Sequence, residues 1–423
     1  MSEAKATVTN VPQAAVPGKA MFYGPSFTEW KQLTAEAKEG ATDAEVEKEA
    51  NRAKGAQDEL KQTLLTSLQM QHVVVLAGSG TSLGPTKGPS MRNLWDMCVK
   101  AVPPAGDGTP APYDPSQVIK KVEYTAPSGE ENIEELLSRC EAYVQVHPAE
   151  KDVLAFLTAS KGIILKACSE FIDPYDATQL DPHRTFLHRL SRRRPRDSRL
   201  KVFTTNYDLC FEVAASQQGL VVVDGFSFSE PRHFDPRFFQ YDIVKRPATG
   251  DEVGTPLEGV FHLHKLHGSV NWERVRDLDV KISVPPPAEF ACIIYPAKGK
   301  YQQSYVQPHL ELMSRYLAAL REPNTCLIVV GFGFNDDHLS EPILSAVKSN
   351  PHLRLIVVNR SAHDCIDAAQ PGRYWKELKA LAEKDGDVWF INSDFGDFAE
   401  RIPDLKSLTP AERLSRDLRD IIA

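Results

Sequence analysis

The run His72-Val73-Val74-Val75-Leu76-Ala77 breaks without transition into Gly78-Ser79-Gly80-Thr81-Ser82-Leu83-Gly84. A short, almost wholly apolar and β-branched segment that ends at once in glycines and small hydroxyl residues reads as a strand buried on both faces, feeding a loop and then a helix. Such a strand belongs in a parallel sheet covered by helices, because a sheet with one wet face would alternate apolar and polar residues.

Further short apolar runs follow at Leu200–Thr204, Leu220–Val223, Val260–His264, Ala291–Tyr295, Thr325–Val330, Leu353–Val358 and Val388–Ile391. Helix-like stretches separate most of them, so the sequence predicts an α/β fold with a Rossmann-like, doubly wound, mainly parallel sheet. The interval between the first strand and the second is far longer than a simple crossover. Within it Ile133, Leu136, Leu137, Cys140 and Tyr143 recur at helical spacing, and a second long helix is expected over 151–172, bounded by Asp173-Pro174. Residues from about 100 to 195 are therefore read as an inserted helical module, closing on a basic connector, Ser191 to Arg196, whose arginines are expected to face solvent. Residues 1 to about 25 read as an extended or disordered arm, and 27–70, rich in Ala, Glu, Lys, Gln and Leu, as helices ending before His72. The expected division is an N-terminal arm and helices over 1–70, a catalytic domain over 71–400 that holds the insertion, and a C-terminal helical tail over 401–423.

A net charge of -8 argues against broad electrostatic capture of nucleic acid, and no direct nucleic-acid partner is expected. Seven cysteines, at 98, 140, 168, 210, 292, 326 and 365, are scattered with no C-x-x-C pair, which suits reduced thiols and gives neither a disulfide framework nor a zinc ribbon. Neither a signal-peptide h-region nor an apolar run approaching the ~18 residues of a membrane span is visible, so a cytoplasmic protein without membrane contact is expected.

Several strand ends carry chemistry. Gly78, Gly80 and Gly84 fall one residue long of the dinucleotide-binding spacing; they let backbone amides approach a pyrophosphate, or they serve packing. Thr204-Thr205-Asn206-Tyr207-Asp208 puts an amide and a carboxylate at the carboxyl end of a buried strand, where open α/β sheets bind ligands, although both residue types also cap helices. The segment Val260 to Ser269 delivers His267 into a Gly-Ser turn, where an imidazole can take a proton near neutral pH. His262 and His264 share one strand face, but nothing nearby completes a metal site, and both are expected to be hydrogen-bonded interior histidines. Gly331-Phe332-Gly333-Phe334-Asn335-Asp336-Asp337 forms a second glycine turn suited to a phosphate or ribose, and Asn359 ends another strand, either to bond a ribose or to start a turn.

Taken in order, AGSGTS, GPSMR, TTNYD, KLHGS, GFGFND and VVNR resemble the nucleotide-binding half of sirtuins, and more closely the bacterial sirtuin-like NADases of antiphage defence, over roughly 72–395. The resemblance implies that NAD is the substrate, that Asn206 lies by the nicotinamide ribose, that Asp208 organises that pocket and that His267 is the general base. It implies phosphate contacts from the first loop, with Ala77, Gly78, Ser79, Thr81 and Ser82, and an adenosine side lined by Gly331, Gly333 and Asn359. Pro89-Ser90-Met91-Arg92 stands where sirtuins carry Pro-Asp-Phe-Arg, so Arg92 is retained while the acid and the aromatic are lost. The four zinc cysteines of the deacetylases are absent after His267, so no metal is expected. NAD+ hydrolysis to nicotinamide and ADP-ribose is the implied activity; deacylation or ADP-ribosyl transfer to a protein, and a non-catalytic nucleotide sensor, are the alternatives. The resemblance also implies a homo-oligomer working with a HerA-type ATPase, with a short Argonaute as the second choice of partner.

Overall fold

A computed structural model describes residues 20–35, 42–100, 113–126, 131–194, 197–246, 254–276, 279–284, 286–295, 306–384 and 386–405. The chain begins with β1 (Met21–Tyr23), β2 (Lys31–Gln32), helix α1 (Asp43–Leu68) and the glycine-terminated strand β3 (His72–Ala77). A capping box starts α1: Thr42 Oγ1 accepts from the Glu45 amide while the Glu45 carboxylate accepts from the Thr42 amide. Helices α2 (Met91–Trp95), α3 (Pro115–Lys121), α4 (Ile133–Val146), α5 (Lys151–Ser169) and α6 (Asp181–Ser191) follow, then β4 (Leu200–Thr204), α7 (Cys210–Gln218) and β5 (Val221–Val223). A small ribbon, β6 (Val244–Lys245) with β7 (Thr255–Pro256), precedes β8 (Val260–Lys265), β9 (Gly268–Arg276), β10 (Asp279–Ile282) and β11 (Ala291–Ile293). The last third alternates regularly: α8 (His309–Arg321), β12 (Thr325–Val330), α9 (Asp337–Ser349), β13 (Leu353–Asn359), α10 (Ala362–Asp367), α11 (Arg373–Ala382), β14 (Val388–Asn392) and α12 (Phe395–Arg401).

The main sheet has nine strands in the order β2-β1-β14-β13-β12-β3-β4-β8-β5. All neighbours from β14 to β5 are parallel, and β1 and β2 pair antiparallel at one edge. This is the doubly wound α/β architecture expected from the apolar runs. The chain runs outward from β3 through β4 and β8, then returns so that β12 lies on the other side of β3, which makes the β3/β12 seam the topological switch point. Register aligns the strand ends there: Ala77 is opposite both Thr204 and Val330, and Thr204 is opposite Lys265. The loops that carry the sequence motifs therefore leave the sheet along a single edge.

Strand alternation divides the core between the two faces. Val74 and Leu76 join a cluster with Leu312, Tyr316, Leu339, Ile343, Trp375 and Leu378 from α8, α9 and α11. Val73, Val75 and Ala77 face Leu60, Leu64, Phe186, Phe211 and Phe398 from α1, α6, α7 and α12. A third cluster holds Leu94, Val118, Leu136, Phe156 and Ile164 of the inserted helices together with Val270, Ile293 and Tyr295 from β9 and β11.

Several expectations are corrected. Residues 21–23 are not a disordered tail but a strand on β14, and the described residues of the region 27–70 supply a short strand and one helix rather than a run of helices. Residues 1–19, and 406–423 of the expected C-terminal helical tail, lie outside the described residues. The run at Ala291–Tyr295 stays out of the parallel sheet: β11 pairs antiparallel with β9 in a separate sheet ordered β10-β9-β11. Helix α6, within the range read as insertion, packs on the Rossmann layer, with the Phe186 and Phe395 rings 5.1 Å apart. Nor are the arginines of the basic connector all solvated. Arg193 is buried and donates to the carbonyls of Leu68, Met70, Gln71 and Ser198, tying the end of α1 to the approach to β4. A guanidinium has five N–H donors, which suits it to gathering several carbonyls at once.

Candidate active site at the sheet switch point

At the seam the two glycine loops press against each other. Gly80 donates its amide to Gly331 O at 2.9 Å, and a Cβ added at Gly78 would sit 2.6 Å from that same oxygen. Gly331 has φ +61, and a Cβ there would lie 2.7 Å from Thr81 N. The glycines thus answer a packing demand, close approach of two backbones, with the left-handed conformation as a second demand at Gly331. The amides of Gly78, Gly80, Thr81 and Ser82 donate to the carbonyls of Val330, Gly331, Gly78 and Ser79. The expectation that this loop aims its amides at a phosphate is therefore corrected at those four positions: their protons are already spent inside the protein.

What the loop offers instead is hydroxyls, and they set the orientation of Asn206. Thr81 Oγ1 donates to Gly78 O at 2.9 Å, and Ser82 Oγ donates to Asp208 Oδ2 at 2.7 Å. Each hydroxyl has a single proton, so both must accept from Asn206 Nδ2, at 3.0 and 2.9 Å. With both amide protons committed, Asn206 presents its Oδ1 as an acceptor. Asp208 accepts from Ser82 with one oxygen and from the Cys210 amide, 3.0 Å away, with the other, so it braces the site and the start of α7 together. Asn206, Asp208, Thr81 and Ser82 are all buried.

His267 leaves the end of β8 beside this network, with Leu266 donating its amide to Thr204 O at 2.8 Å. His267 Nε2 lies 3.5 Å from Asp336 Oδ2, and both side chains are largely buried. Asp336 caps α9, its Oδ1 accepting from the His338 amide at 3.1 Å. Sequence reasoning quoted Asp336 within its glycine motif but gave it no role. The available signal was its place, an acid before a helix at a strand end, where one oxygen caps and the other lies by His267 Nε2. The turn after His267 is fixed by Gly268, φ +83, where a Cβ would lie 2.0 Å from Cys292 O.

The remaining candidates divide. Ala77 ends β3 at the seam, and Ser79 lies in the loop that follows. Gly333 lies close to its own neighbour, 3.1 Å from a built Cβ to Asn335 Nδ2. Asn359 closes its own turn, Oδ1 accepting from Ser361 N at 2.9 Å, and donates to Phe332 O at 3.3 Å. Arg92 lies on α2, half exposed, and pairs with Glu131 and Asp96, not with the Asn206 network. His264, expected to be a hydrogen-bonded interior histidine, is interior, bonds to the Val202 backbone and is stacked between Phe203 and Phe239 at 4.4 and 4.3 Å. Burial pushes its pKa well below the usual histidine value. Among the described residues no group of three or more His, Cys, Asp or Glu side chains is placed to hold a metal ion, and no helix is long and apolar enough to cross a membrane. A separate cleft of about 580 Å³ opens between α5, β9, β11 and α8, lined by Lys161, Arg274, Ile294, Tyr295 and His309 among others.

Fold and crevice together define a doubly wound α/β protein with a polar site at the switch point of its parallel sheet. Residues 200–381 match the profile of the SIR2-like domain, a stretch that runs from β4 into α11 and includes Asn206, Asp208, His267, Gly331, Asp336 and Asn359. No curated protein matches the chain. Among solved structures it is similar to a sirtuin from work on the structural basis of sirtuin substrate affinity, at 15% identity and TM-score 0.38, covering 82% of this chain and 99% of that one. It is also similar to Sir2 with a p53 peptide and NAD+, at 14% identity and TM-score 0.37, covering 81% and 96%. A third similar structure is a Sir2 homologue mutant with ADP-ribose, at 12% identity and TM-score 0.37, covering 81% and 94%.

Proposed function

We propose that this chain is an NAD+ glycohydrolase that cleaves the nicotinamide–ribose bond to give nicotinamide and ADP-ribose. The observation that carries the reading is the pairing of an oriented amide with an acid-backed imidazole: Asn206 fixed by Thr81 and Ser82, and His267 3.5 Å from Asp336. Departure of nicotinamide needs no strong nucleophile, because the leaving group takes the bonding electrons and so neutralises its own pyridinium charge. The protein's task is to hold the ribose and to place a water. Asn206 Oδ1 accepts from a ribose hydroxyl or that water, and His267 takes the proton as the new C–O bond forms. The Asp336 carboxylate then stabilises the imidazolium, as an acid does behind a catalytic histidine. With the amides at four loop positions and the hydroxyl protons of Thr81 and Ser82 already bonded within the protein, Gly78, Ser79, Thr81 and Ser82 line the phosphates by close approach, and Gly331, Gly333 and Asn359 shape the adenosine side. Arg92 would have to leave Glu131 and Asp96 to reach the nucleotide.

Incubating the pure chain with NAD+ and following nicotinamide, ADP-ribose and cyclic ADP-ribose tests the reading. Hydrolysis predicts the first two in equal amounts; no nicotinamide release would leave a nucleotide-binding role in its place. A second reading, transfer of ADP-ribose to a protein or deacylation of one, is favoured by the cleft of about 580 Å³, since its wall residue Ile294 donates its amide to His267 O at 2.8 Å. Labelled protein in the same incubation would select it.

The biological setting belongs to the same proposal: a cytoplasmic NAD-depleting effector of antiphage defence, acting as a homo-oligomer with a HerA-type ATPase, or with a short Argonaute, and without a metal. An unrestrained hydrolase would drain its host's redox cofactor, which is the reason to place control in assembly. Light scattering checks this point, a strictly monomeric chain with full activity and no partner being the result that removes it.

A further inference from the structure

Lys265 ends β8 in an otherwise apolar setting between Leu263 and Leu266, and its side chain is only 3% exposed. Its ammonium donates to Tyr207 O at 3.2 Å, to Asp208 O, and to Glu212 Oε1 at 3.0 Å. An ammonium has three protons and no acceptor capacity, so these three bonds use it completely. Two of them fall on main-chain carbonyls of the segment that carries Asn206 and Asp208, and the third falls on the first turn of the helix that follows. Tyr207 O is also held by Val270 N at 3.0 Å and Ser269 Oγ at 3.3 Å, whereas the bond to Asp208 O comes from Lys265. Burial raises the Glu212 pKa and Lys265 pulls it back, as expected of an acid retained to compensate a buried cation. A buried ion pair is weak evidence for stability, because apolar residues of similar volume often do as well. Its placement under one loop calls for another explanation.

We propose that Lys265 is a positioning residue: with Glu212 as its counter-charge it clamps the Tyr207 and Asp208 carbonyls, and so sets where Asn206 and Asp208 stand relative to Thr81, Ser82 and His267. The effect on catalysis rests on the hydrolase reading, but the clamp itself does not. Lys265 is fixed by strand register, Thr204 opposite Lys265, so the loop is referenced to the sheet and not only to its own turn.

The test compares three full-length proteins: wild type, Lys265→Met, and Lys265→Met combined with Glu212→Met. The single variant leaves Glu212 without its cation and loses thermal stability; the double variant removes both charges and regains most of it. In both, hydrogen exchange without NAD+ is expected to be about tenfold faster or more at the amides of Asn206 to Cys210, with β4 and β8 still protected. If the double variant folds poorly, Lys265→Gln is judged by the same criterion. The kcat for nicotinamide release is expected to fall about 30-fold with KM little changed, because misplacement acts on the oriented complex. Wild-type exchange at Asn206 to Cys210 in a stable variant overturns the proposal. The wild-type nicotinamide rate judges the hydrolase reading separately, and the exchange result decides on Lys265 even in a chain that hydrolyses nothing.

Discussion

The two halves of the parallel sheet meet at the β3/β12 seam and contribute unlike things to it. On one side, β3, β4 and β8 end in side-chain chemistry: Thr81, Ser82, Asn206, Asp208 and Lys265, joined by hydrogen bonds that each fix the next, with His267 following at the end of β8. On the other, β12 and β13 end in Gly331, Gly333 and Asn359, which shape backbone, and Asp336 is the side chain from there that reaches across. The first half also holds buried polar groups within its core, His183, His262 and His264, while β12 and β13 are aliphatic and buried almost throughout. One half is built for specificity of chemistry, the other for a rigid wall, and each should fail in its own way.

The largest effect is expected on the first side. Asn206→Ala and His267→Ala should each reduce nicotinamide release about a thousandfold while leaving thermal stability near wild type, since neither side chain lies in an apolar cluster. Asp336→Asn should fall between them and wild type. Near-normal release from either alanine variant would erase the contrast between the halves.

Acid should distinguish the halves next. Burial lowers the pKa of His183, His262 and His309 to about 4, so these three are neutral in the native state at pH 5, and it pushes that of His264 well below the usual histidine value. Their unfolded-state values lie near 6.5, so the unfolded chain binds protons the folded chain refuses, and stability is lost as pH falls from about 6.5 toward 4. Each such group costs up to about 1.4 kcal/mol per pH unit across that window. Urea midpoints at pH 7.5 and 5 measure the total, and hydrogen exchange should show β4 and β8 losing protection before β12 and β13. His264→Leu should shrink the acid sensitivity and leave activity intact.

Gly331→Ala should destabilise by about 2 to 4 kcal/mol, through both a left-handed backbone and a clash with the Thr81 amide, read as a lower urea midpoint. The smallest effect belongs to Asn359→Ala, about 1 kcal/mol from the lost turn bonds with little change in KM for NAD+. A large rise in KM would move Asn359 from turn to ligand.

Much of this was legible in the order of residues. The parallel sheet could be read because strands buried on both faces have no alternation to disguise them, and the strand ends could be read because Gly, Asn, Asp and His are conspicuous after Val and Ile. Three things could not be read. Ala291–Tyr295 has the composition of a core strand, but its partner, β9, begins at Gly268 directly after a turn and bears charges that hide it. Met21–Tyr23 is too short to carry a pattern and takes its strand state from the edge of β14. The third was the purpose of the glycines, since close approach to Gly331 and close approach to a phosphate make the same demand on Gly78 and Gly80, and only the path of the other loop separates them.

The insertion of β12 beside β3 has a consequence for the order in which the molecule comes into being. Both neighbours of β3 in the sheet are made after it, but β4 is the next strand to emerge and β12 follows only after β5, β8 and the small antiparallel sheet have been completed. During synthesis Asn206 and His267 leave the ribosome well before Asp336 and Gly331, and a nascent chain that stops short of β12 has one wall of the crevice and no acid behind its histidine. The site is incomplete while the chain is being made, because the strand that closes it arrives after the residues it faces.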